Sequence, residues 1–317
     1  MDARTQVDPE VLVSFPLCRF AVSAVIPTKN RKDQLRQTIY SALSQTVRCE
    51  VIVIDDGSTD GTEKMVRNEF PAVIYEKREV SGGPTACRNR GAEIATGEFL
   101  VTLDDDCVFC ESTSLEKALE WFDLPEIAAV TLPFVNVKQD NVLRTAAPAR
   151  DQRYATLDFY GGMVVFRRDR FLAVGGYRTS YFMHWEEYDL AVRLLQAGFL
   201  IRNGEIEAVH HYESAVRDAK KLWRLGGRNG ILFAIYNVPL PFVPFHLAAT
   251  IAKTYLYAVK RGAGREALTG IRDGLLDSFP GWRQRRPLAP KIYNLARRMK
   301  REGPQSLSQI KRLLSNA

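Results

Sequence analysis

Phe99-Leu-Val-Thr-Leu-Asp-Asp-Asp-Cys107 is the segment that decides the predicted fold. Its apolar half, residues 99–103, predicts a buried β-strand, and the carboxylates of Asp104, Asp105 and Asp106 follow directly. Neighbouring acids repel one another and lose solvation on burial, so they need a partner. A divalent cation, which takes carboxylate and phosphate oxygens as ligands, is the partner that we expect. The alternative is a solvated acidic turn.

Apolar runs upstream of this segment also end in polar loops. Residues 20–27 predict the first strand and residues 51–54 the second, with Asp55 and Asp56 immediately after it. Apolar side chains between these strands recur at every fourth position and predict one face of a helix: Leu35, Ile39 and Leu43. Strands that alternate with helices predict an α/β, Rossmann-like fold with a mostly parallel sheet and a binding crevice along the carboxyl ends of its strands.

The segments downstream continue this alternation. Further strands are predicted at residues 73–75, 128–137, 162–166 and 206–212, and helices at 81–95, at 113–122 and from residue 186 onward. Thr113-Ser-Leu-Glu116 has the spacing of a capping box, in which two side chains satisfy free N–H groups at the start of a helix. Acids at the first turn of the last helix suit its dipole, and for Asp189 we favour this structural interpretation.

Composition is typical of a globular protein from a reducing compartment. The 317 residues are 46% hydrophobic, which suffices for a packed core without disulfide bonds. The cysteines are odd in number, scattered and not preceded by a secretory leader, which favours a cytosolic setting. They are Cys18, Cys49, Cys87, Cys107 and Cys110. A structural zinc needs four ligands, and the C-x-x-C pair at residues 107 and 110 has no second pair to complete such a site.

The net charge of +7 is concentrated near the end of the chain. Residues 253–317 contain fifteen Lys/Arg and four Asp/Glu, so the preceding residues carry a net negative charge. This pattern predicts a basic appendage that binds a membrane surface or another polyanion. No nucleic-acid-binding motif accompanies the charge, so we expect no nucleic-acid partner.

Residues 231–252 contain no formal charge, and their number is close to the roughly 20 that span a bilayer. Pro239, Pro241 and Pro244 argue against a span, because each removes a backbone donor that hydrocarbon does not replace. We favour an interfacial hairpin of amphipathic helices, followed by basic helices that would favour an anionic leaflet. A helical cap packed on the domain is the alternative.

Five segments taken together resemble the family 2 glycosyltransferases, which are inverting enzymes with the GT-A nucleotide-diphospho-sugar transferase fold. The segments follow the order of the family from residue 22 to about residue 212. They are Ala24-Val-Ile-Pro-Thr-Lys-Asn-Arg31, Val51-Ile-Val-Ile-Asp-Asp-Gly-Ser-Thr-Asp-Gly-Thr62, Cys87-Arg-Asn-Arg-Gly91, Ala95-Thr-Gly-Glu-Phe-Leu100 and the triplet at residues 104–106, which falls on the family's metal-binding DXD position.

The resemblance implies a donor site and a metal site. Asp56 would accept from the imide nitrogen of a uracil or thymine base, and Arg88 would neutralise part of the diphosphate. The implied donor-binding residues are Pro27, Thr28, Asn30, Arg31, Asp56, Arg88, Asp104 and Asp105. The implied ligands of Mn²⁺ or Mg²⁺ are Asp104, Asp106 and His210, with His211 as the fallback. A UDP- or dTDP-sugar is favoured as the donor, and a GDP-sugar stays open.

The resemblance also implies a catalytic base and an acceptor side. The family places the base second in a Glu-Asp pair, which reads Glu186-Glu187 here, so we favour Glu187 over Glu186. A carboxylate in this position takes the proton of the acceptor hydroxyl. Gly161, Gly162 and Trp185 fall where the family shapes the acceptor side, although Trp185 can equally belong to the core. Arg228-Asn229 resembles a short family motif to which we assign no role.

These expectations combine into one organisation. An irregular lead-in covers residues 1–19, a GT-A catalytic domain residues 20–215, and a helical, basic, membrane-proximal region residues 216–317. The predicted enzyme is cytoplasmic, sits peripherally at the inner face of the cell membrane, and extends a glycan or a polyprenyl-linked saccharide; a homodimer stays open. The alternatives are a sugar-phosphate nucleotidyltransferase, for which the first loop lacks the usual glycines, and a non-catalytic scaffold.

Overall fold

The computed structural model describes residues 21–212 and 219–315. The predicted lead-in at residues 1–19, the first residue of the first predicted strand, Cys18, and the predicted domain boundary at residues 215 and 216 lie outside these ranges. The first strands and helices are β1 (Val22–Thr28), α1 (Lys32–Leu43), β2 (Cys49–Asp55), α2 (Thr62–Glu69), β3 (Ile74–Lys77), α3 (Gly83–Ile94), β4 (Phe99–Leu103), β5 (Cys107–Phe109) and α4 (Ser114–Glu120).

The later elements include the helices of the C-terminal region. They are β6 (Ile127–Thr131), β7 (Phe134–Asn136), β8 (Tyr154–Thr156), β9 (Met163–Arg167), α5 (Arg168–Ala173), α6 (Glu186–Gln196), β10 (Leu200–Arg202), β11 (Val209–His211), α7 (Ala219–Asn237), α8 (Val243–Val259), α9 (Gly264–Gly281), α10 (Pro290–Glu302), β12 (Gln305–Ser306) and α11 (Leu307–Ser315).

A nine-stranded sheet forms the centre of the described chain, in the order β12-β8-β10-β6-β9-β4-β1-β2-β3. Strands β4, β1, β2 and β3 are parallel, so their carboxyl ends meet at one edge. Strand β9 runs antiparallel between β4 and β6 and brings its amino end to the same edge. A second sheet has the order β5-β11-β7. The predicted α/β fold with a mixed sheet and flanking helices is confirmed.

Each face of the large sheet carries its own hydrophobic layer, which is why every residue of β1 is buried. Helices α1, α2 and α4 cover one face, and α3, α5 and α6 cover the other. Helices α10 and α11 contribute to this second layer through Ile292, Tyr293, Leu295, Ala296, Met299, Leu307 and Ile310. The C-terminal region therefore shares its core with the sheet, and the predicted division at residues 215 and 216 stays a prediction.

Two strand and helix predictions differ from the structure. Residues 128–137 were expected to form one strand, but they divide between β6 and β7, which lie in different sheets. Pro133 stands at the division, and a proline has no N–H to continue a ladder. Leu43 was expected on the inner face of α1 but is 44% exposed, because the buried face runs through other positions. These are Leu35, Thr38, Ile39 and Ala42.

The predicted capping box at the start of α4 does not form. Thr113 is the N-cap residue, but no side chain caps the helix there. The Glu116 carboxylate instead accepts a hydrogen bond of 2.9 Å from Thr46 Oγ1, on the loop before β2. A tertiary partner has therefore replaced the local one.

Residues 231–252 divide into a buried half and an exposed half. In α7, the side chains from Ile231 to Tyr236 are buried, and several pack beside Tyr181 and Trp185. The interfacial hairpin is therefore wrong for this half, which forms part of a helical cap on the domain. Helix α8 is largely exposed, with Phe245 at 78%. Within residues 21–212 and 219–315, every helix is too short or too polar to cross a bilayer.

Helix α9 packs directly against α7. A β-carbon on Gly270 of α9 would lie only 2.0 Å from the Arg224 carbonyl oxygen of α7, so only glycine fits there. On the exposed side of the same contact, Arg224 and Asp273 form an ion pair of 2.6 Å. This close contact fixes the position of α7, which reaches the candidate active site.

Candidate active site

The sheet places the predicted donor-binding segments side by side. Residue Thr28 at the end of β1 pairs in register with Asp55 at the end of β2, and β4 lies on the other side of β1. The backbone N–H of Asp104, just after β4, donates to the carbonyl oxygen of Gly162, just before β9. Four loops that are distant in the sequence therefore converge at one edge of the sheet.

Two carboxylates of the acidic triplet are buried, and both accept a hydrogen bond from the same arginine. Asp105 accepts hydrogen bonds from Thr28 Oγ1 at 2.8 Å and from Arg31 Nη1 at 3.1 Å. Asp106 accepts from the same Arg31 nitrogen at 2.8 Å. Burial, which Arg31 only partly offsets, raises the pKa of Asp105 to about 7. The solvated acidic turn is therefore excluded, because these carboxylates are buried and bonded.

The third carboxylate, Asp104, lies against a buried arginine and two glycines. Arg88 Nη2 donates to Asp104 Oδ1 at 2.6 Å, and its guanidinium also lies 5.8 Å from the centre of the Tyr177 ring. Burial opposes the charge of Arg88, but the nearby carboxylates outweigh it and raise the pKa of the guanidinium. A β-carbon on Gly161 would lie 2.6 Å from Arg88 Nη1, and one on Gly162 2.0 Å from Asp104 Cγ. Only glycines allow this approach.

Strand β11 brings a histidine to the triplet, but it is not the predicted one. Strands β11 and β5 pair antiparallel with His211 opposite Cys107, which puts His211 Nε2 3.2 Å from Asp106 Oδ1. Successive side chains on a strand point to opposite faces. His210 therefore faces the other way, toward Glu207 at 2.9 Å. The assignment of His210 is corrected to the fallback, His211, and the metal role itself stays a prediction.

The chemistry of this cluster fits a divalent cation. Ligand atoms of Asp106, Cys107 and His211 all lie within 4.8 Å of one another, and the three residues are buried. Burial raises the pKa of the Cys107 thiol well above its ordinary value, and Mn²⁺ and Mg²⁺ prefer oxygen ligands to sulfur. The carboxylate and the imidazole are then the donors that would hold Mn²⁺ or Mg²⁺. Cys110 falls in a separate, more exposed group with His210.

Just after the end of β2, Asp56 is bonded to the start of α3. Its carboxylate accepts from Ser81 Oγ at 2.5 Å and from the backbone N–H groups of Gly82 and Gly83 at 2.8 and 3.1 Å. Burial alone would raise the pKa of Asp56, but these hydrogen bonds outweigh it and lower the pKa. Asp56 thus caps α3, a place where anions are favoured.

The loop after β1 is tied to the loop after β2. Pro27 is buried within β1, whereas Asn30 is exposed beyond it and has a left-handed backbone with φ of 54°. The Asn30 N–H donates to Ser58 Oγ at 2.8 Å, and its side-chain oxygen accepts from the Thr59 N–H at 2.7 Å. Both loops are therefore held as one surface beside Asp56.

The two acids at the start of α6 differ in environment. Glu186 is only 3% exposed, and burial together with its neighbour Glu187 raises its pKa well above the ordinary range, against the effect of Arg88. Glu187 is half-buried, lines a cavity, and accepts from the Gly161 N–H at 3.4 Å. A base must reach its substrate. The geometry therefore favours Glu187 over Glu186, and the role of base stays a prediction.

A strained loop leads into this acid pair. Three of its residues have left-handed backbone angles, which side chains disfavour. They are Phe182 (φ 60°), His184 (φ 69°) and Trp185 (φ 74°). The fully buried Asn229 of α7 holds this loop, since its side-chain nitrogen donates to three carbonyl oxygens at 2.8–2.9 Å: those of Tyr181, Met183 and His184.

Arg228 supports the same loop from α7. Its Nη1 donates to the carbonyl oxygen of Ser180 at 2.7 Å, and its Nε donates to Asp277 of α9 at 2.6 Å. Arg228-Asn229, which the sequence left without a role, thus connects the loop before Glu187 to two C-terminal helices.

Asp189 has a structural role, as predicted, although its partners extend beyond its own helix. The carboxylate is fully buried and accepts from Arg178 at 2.5 Å, from Arg193 at 2.8 Å and from Asn237 of α7 at 2.7 Å. A buried charge requires such partners. Asp189 therefore anchors α6 to α7 and is not available for proton transfer.

A cavity of about 910 Å³ opens beside Glu187, between the loop before α6 and helices α8 and α10. Aromatic side chains form much of its wall: Phe159, Trp185, Tyr188, Trp223, Phe242, Phe245, Tyr257 and Tyr293. Trp185 also packs against Phe233 with ring centres 5.3 Å apart, so it serves both the core and the cavity. Volume and lining are typical of a site for an organic ligand.

Comparison with known proteins decides the family. The family model described as "Glycosyl transferase family 2" matches residues 23–185, which is more than half of the 317 residues. The chain belongs to glycosyl transferase family 2. The matched region ends at Trp185, immediately before the acid pair of α6.

Relatives in family 2 are similar over part of their length. An uncharacterized glycosyltransferase of Haemophilus influenzae is 29% identical over 185 residues, which are 55% of this chain and 62% of the relative. The GalNAc(5)-diNAcBac-PP-undecaprenol beta-1,3-glucosyltransferase of Campylobacter jejuni is 33% identical over 109 residues, 32% of this chain and 35% of the relative. The chain spans between 41% and 62% of the length of the first curated relatives that it matches.

Solved structures confirm the predicted GT-A fold of this family 2 member. The mannosyltransferase PcManGT from Pyrobaculum calidifontis, in complex with GDP-Man and Mn²⁺, superimposes with a TM-score of 0.54 at 21% identity. The match covers 81% of this chain and 76% of that chain. Because it exceeds the region of the family model, the similarity of fold extends beyond residue 185.

The structure brings most of the predicted family 2 residues together. One connected group is formed by the acidic triplet, Arg31, Arg88, Gly161, Gly162 and Glu187, while Asn30 and Asp56 lie beside it in the loops after β1 and β2. Sequence reasoning missed the cavity residues of α8 and α10. The spacing of Tyr293, Arg297 and Arg301 on one face of α10 is a signal that could have indicated them.

Proposed function

We propose that this chain is a metal-dependent, inverting glycosyltransferase that moves a sugar from a nucleotide-diphospho-sugar to a hydroxyl group of a glycan or lipid-linked acceptor. One observation supports this most strongly. Gly161 contacts both halves of the site, since its N–H donates to Glu187 and its α-carbon leaves no room beside Arg88. The carboxylate proposed as the base therefore lies next to Arg88 and the acidic triplet, which are the groups proposed to bind the diphosphate and its metal ion.

Each residue has a defined role in the proposed reaction. Glu187 takes the proton of the acceptor hydroxyl while that oxygen attacks the anomeric carbon from the side opposite to the leaving diphosphate. Burial and the neighbouring Glu187 raise the pKa of Glu186 well above its ordinary value, against the effect of Arg88, so Glu186 holds its proton more tightly than a solvated glutamate does. Arg88 lies where it can offset charge on the departing nucleotide, and it orients Asp104. Displacement in one step inverts the anomeric configuration.

Asp106 and His211 are the residues that would hold the divalent ion, with Asp104 on the rim of the same site. When bound, the ion supplies a positive charge that stabilises the leaving nucleoside diphosphate. The complex of the similar mannosyltransferase with Mn²⁺ supports a metal in this fold.

The donor base and ribose are assigned to the surface formed by Pro27, Thr28, Asn30 and Asp56. Asp56 already accepts from the start of α3 and from Cys87 Sγ at 3.6 Å, so it would exchange one of these bonds to accept from a uracil or thymine imide. We favour a UDP- or dTDP-sugar on this ground. The GDP-Man in the similar mannosyltransferase structure keeps GDP-sugars in the test.

The C-terminal helices support a peripheral position at the inner face of the cell membrane. Large apolar side chains of α8, of the turn before it, of α9 and of the turn after α9 are exposed: Leu240, Phe245, Leu256, Leu276, Phe279 and Trp282. Lys260, Arg261 and Arg283 lie close to them in the chain. Exposed apolar groups flanked by cations are typical of a surface that binds an anionic leaflet. The lipid-linked substrate in the name of the Campylobacter relative supports the same position.

A donor screen tests the proposed function. Purified protein is mixed with UDP-, GDP- and dTDP-sugars, with and without Mn²⁺, and both thermal midpoint and donor hydrolysis are measured. Binding to the folded state raises the midpoint for the right donor. We expect one donor class to do so only with metal, and the Asp106→Asn protein to lose that metal dependence while it stays folded. If no donor raises the midpoint or is hydrolysed, the proposed function is wrong.

A further inference from the structure

We propose that the cavity beside Glu187 is the acceptor site, and that it selects a saccharide carried on a phosphate-bearing prenyl lipid. This inference rests on the proposed function and specifies which acceptor class that function uses. It depends on three features of the cavity: an aromatic wall, an excess of positive charge, and continuity with the exposed apolar surface of α8.

The aromatic wall is rigid where it meets the catalytic base. Trp185 directly precedes the acid pair, and its ring packs against Phe233 behind it. A β-carbon on Gly230 would lie 3.2 Å from Trp185 Cζ2, so the helix backbone itself supports the ring. Tyr188 lies one turn further along α6 and also contacts Phe233. Flat, fixed aromatic faces stack on sugar rings and on unsaturated lipid chains.

Cations outnumber carboxylates around the cavity. The lining contains Lys253, Arg297, Lys300 and Arg301 against Asp158 and Glu187. Lys300 pairs with Asp158, and Arg301 pairs with Glu302 at 2.8 Å. In the part of the chain that the structure describes, neither Lys253 nor Arg297 has a carboxylate within 4.0 Å. These two cations are available to an anionic ligand.

The positive charge does not depend on the histidine of the cavity. His246 Nδ1 lies 2.8 Å from the Tyr293 hydroxyl. Burial, helped by Arg297, lowers the pKa of His246 to about 4, so its ring is neutral near pH 7. A neutral glycan would have no use for permanent cations at this place, whereas a phosphate or diphosphate next to the acceptor sugar would pair with them.

The cavity opens toward the surface that we assign to the membrane. Phe245 and Tyr257 of α8 line the cavity, yet 78% and 49% of their surfaces are exposed. Each therefore belongs both to the cavity wall and to the outer apolar face. A lipid chain can leave the cavity along this wall while its phosphate meets Arg297 and its sugar meets Glu187. One ligand class thus accounts for all three features.

Binding of a short prenyl phosphate tests this inference without donor or metal. The full chain is titrated with geranyl phosphate, with geraniol as the uncharged match, and with inorganic phosphate, all below their aggregation limits. Tryptophan emission reports binding, because Trp185 and Trp223 line the cavity. We expect geranyl phosphate to bind at least about tenfold more tightly than either control, since a charged hydrogen bond adds to apolar burial.

Two arginines that follow one another on α10 provide a matched pair of variants. Arg297 lines the cavity, whereas Arg298, exposed like Arg297, lies outside the lining and bonds to Glu302 at 2.8 Å. We expect Arg297→Gln and Lys253→Gln to reduce geranyl phosphate binding toward the level of geraniol, and Arg298→Gln to leave it unchanged. Thermal midpoints show whether each variant is folded.

The inference fails if geraniol and geranyl phosphate bind equally, if inorganic phosphate binds as well as geranyl phosphate, or if Arg297→Gln and Arg298→Gln behave alike. These outcomes are separate from a failure of the proposed function. A protein that hydrolyses a donor with Mn²⁺ but does not distinguish the two prenyl probes refutes only the acceptor assignment. A protein that distinguishes them but turns over no donor refutes the glycosyltransferase.

Discussion

At the scale of single residues, access separates the two acids of α6. Glu187 borders the cavity and Glu186 does not, so replacing Glu187 by Gln removes the base while it keeps the shape. We expect sugar transfer to fall by roughly 10²–10⁴-fold, the usual contribution of a general base, with donor affinity retained. Transfer rates and donor titrations measure both quantities. Glu120→Gln, at an exposed position on α4, is the control.

An unchanged transfer rate in Glu187→Gln would exclude this residue as the base. If the rate falls only because donor binding is lost, the residue holds the donor instead of activating the acceptor. Each result changes the assignment of Glu187 in a different way.

Glu186 makes stability depend on pH. Its folded pKa is raised by burial and by Glu187, with Arg88 opposing, so the proton stabilises the folded state. That contribution is complete below the ordinary value of 4.5 and is lost as pH rises through the folded pKa. Glu186→Gln has no proton to lose. We therefore expect its advantage in thermal midpoint over the parent to grow as pH is raised above 4.5.

The comparison needs thermal unfolding at several pH values for both proteins. A midpoint difference that stays constant with pH would show that Glu186 does not titrate in the folded state. The same experiment on Glu120→Gln shows how much a surface carboxylate contributes to the slope.

Gly162 tests how closely the acidic rim is packed. A β-carbon there would lie 2.0 Å from Asp104 Cγ, a distance that forces the carboxylate or the loop to move. We expect Gly162→Ala to reduce transfer by about 10²-fold, the effect of displacing a catalytic group by about 1 Å. Glu120→Gln, at an exposed position on α4, is the control. An equal transfer rate in Gly162→Ala and the parent would contradict the proposed packing.

The sequence predicted which types of residue form the candidate site, but it did not predict every residue number correctly. The triplet and the acid pair were readable because each follows or begins an element with a clear apolar pattern. The choice between His210 and His211 depends on the register of β11 against β5, two strands about 100 residues apart in the chain. A single sequence does not specify that register, so it does not show which of the two histidines lies beside Asp106.

At the scale of elements, the loop before α6 depends on α7 for its shape. Three left-handed residues cost strain, which the three hydrogen bonds from Asn229 offset. Asn229→Asp keeps the size of the side chain but removes its donors. We expect kcat to fall at least about tenfold through misplacement of Glu187, while the KM for the donor changes little. Initial transfer rates at several donor concentrations measure both kcat and the KM for the donor.

Asn294→Ala, at an exposed position on α10, is the control for this substitution. A parallel loss of kcat and donor affinity in Asn229→Asp would indicate general unfolding and would contradict a positioning role. A normal kcat would show that the loop keeps its shape without the bonds from α7.

Element types were more predictable than element partners. Strands β1, β2 and β4 and helices α1, α3 and α6 follow directly from apolar periodicity and turn residues. The short strands β8 and β12 have no clear apolar periodicity. They form because they pair with strands that are distant in the sequence. Likewise, the apolar run at residues 231–252 did not show which half faces protein, since both halves are uncharged and rich in apolar side chains.

At the scale of the whole molecule, one face of the C-terminal region should bind anionic vesicles. Phe279 is 81% exposed and Leu276 lies one turn earlier on α9. We expect co-sedimentation with vesicles rich in phosphatidylglycerol, weakened by salt and by the double substitution Leu276→Ser and Phe279→Ser. Each lost side chain removes about 1.5–3 kcal/mol of apolar burial, and each cation near the surface adds about 1 kcal/mol.

Val80→Ser is the control for this experiment, because Val80 is equally exposed but lies between β3 and α3. If the protein binds neutral phosphatidylcholine vesicles as well as vesicles rich in phosphatidylglycerol, the lysines and arginines do not contribute to membrane binding. Equal binding by the double variant and the parent would remove the apolar part.

The last strand of the large sheet in the sequence, β12, has a consequence for folding during synthesis. Strand β12 pairs with β8, and α10 beside it completes a core layer that also contains residues of β4 and α6. A nascent polypeptide synthesised only as far as α9 would leave the β8 edge unpaired and that layer uncovered, a state prone to self-association. Translation must therefore pass residue 306 before the catalytic half is sealed, and shortened expression clones that stop earlier should aggregate.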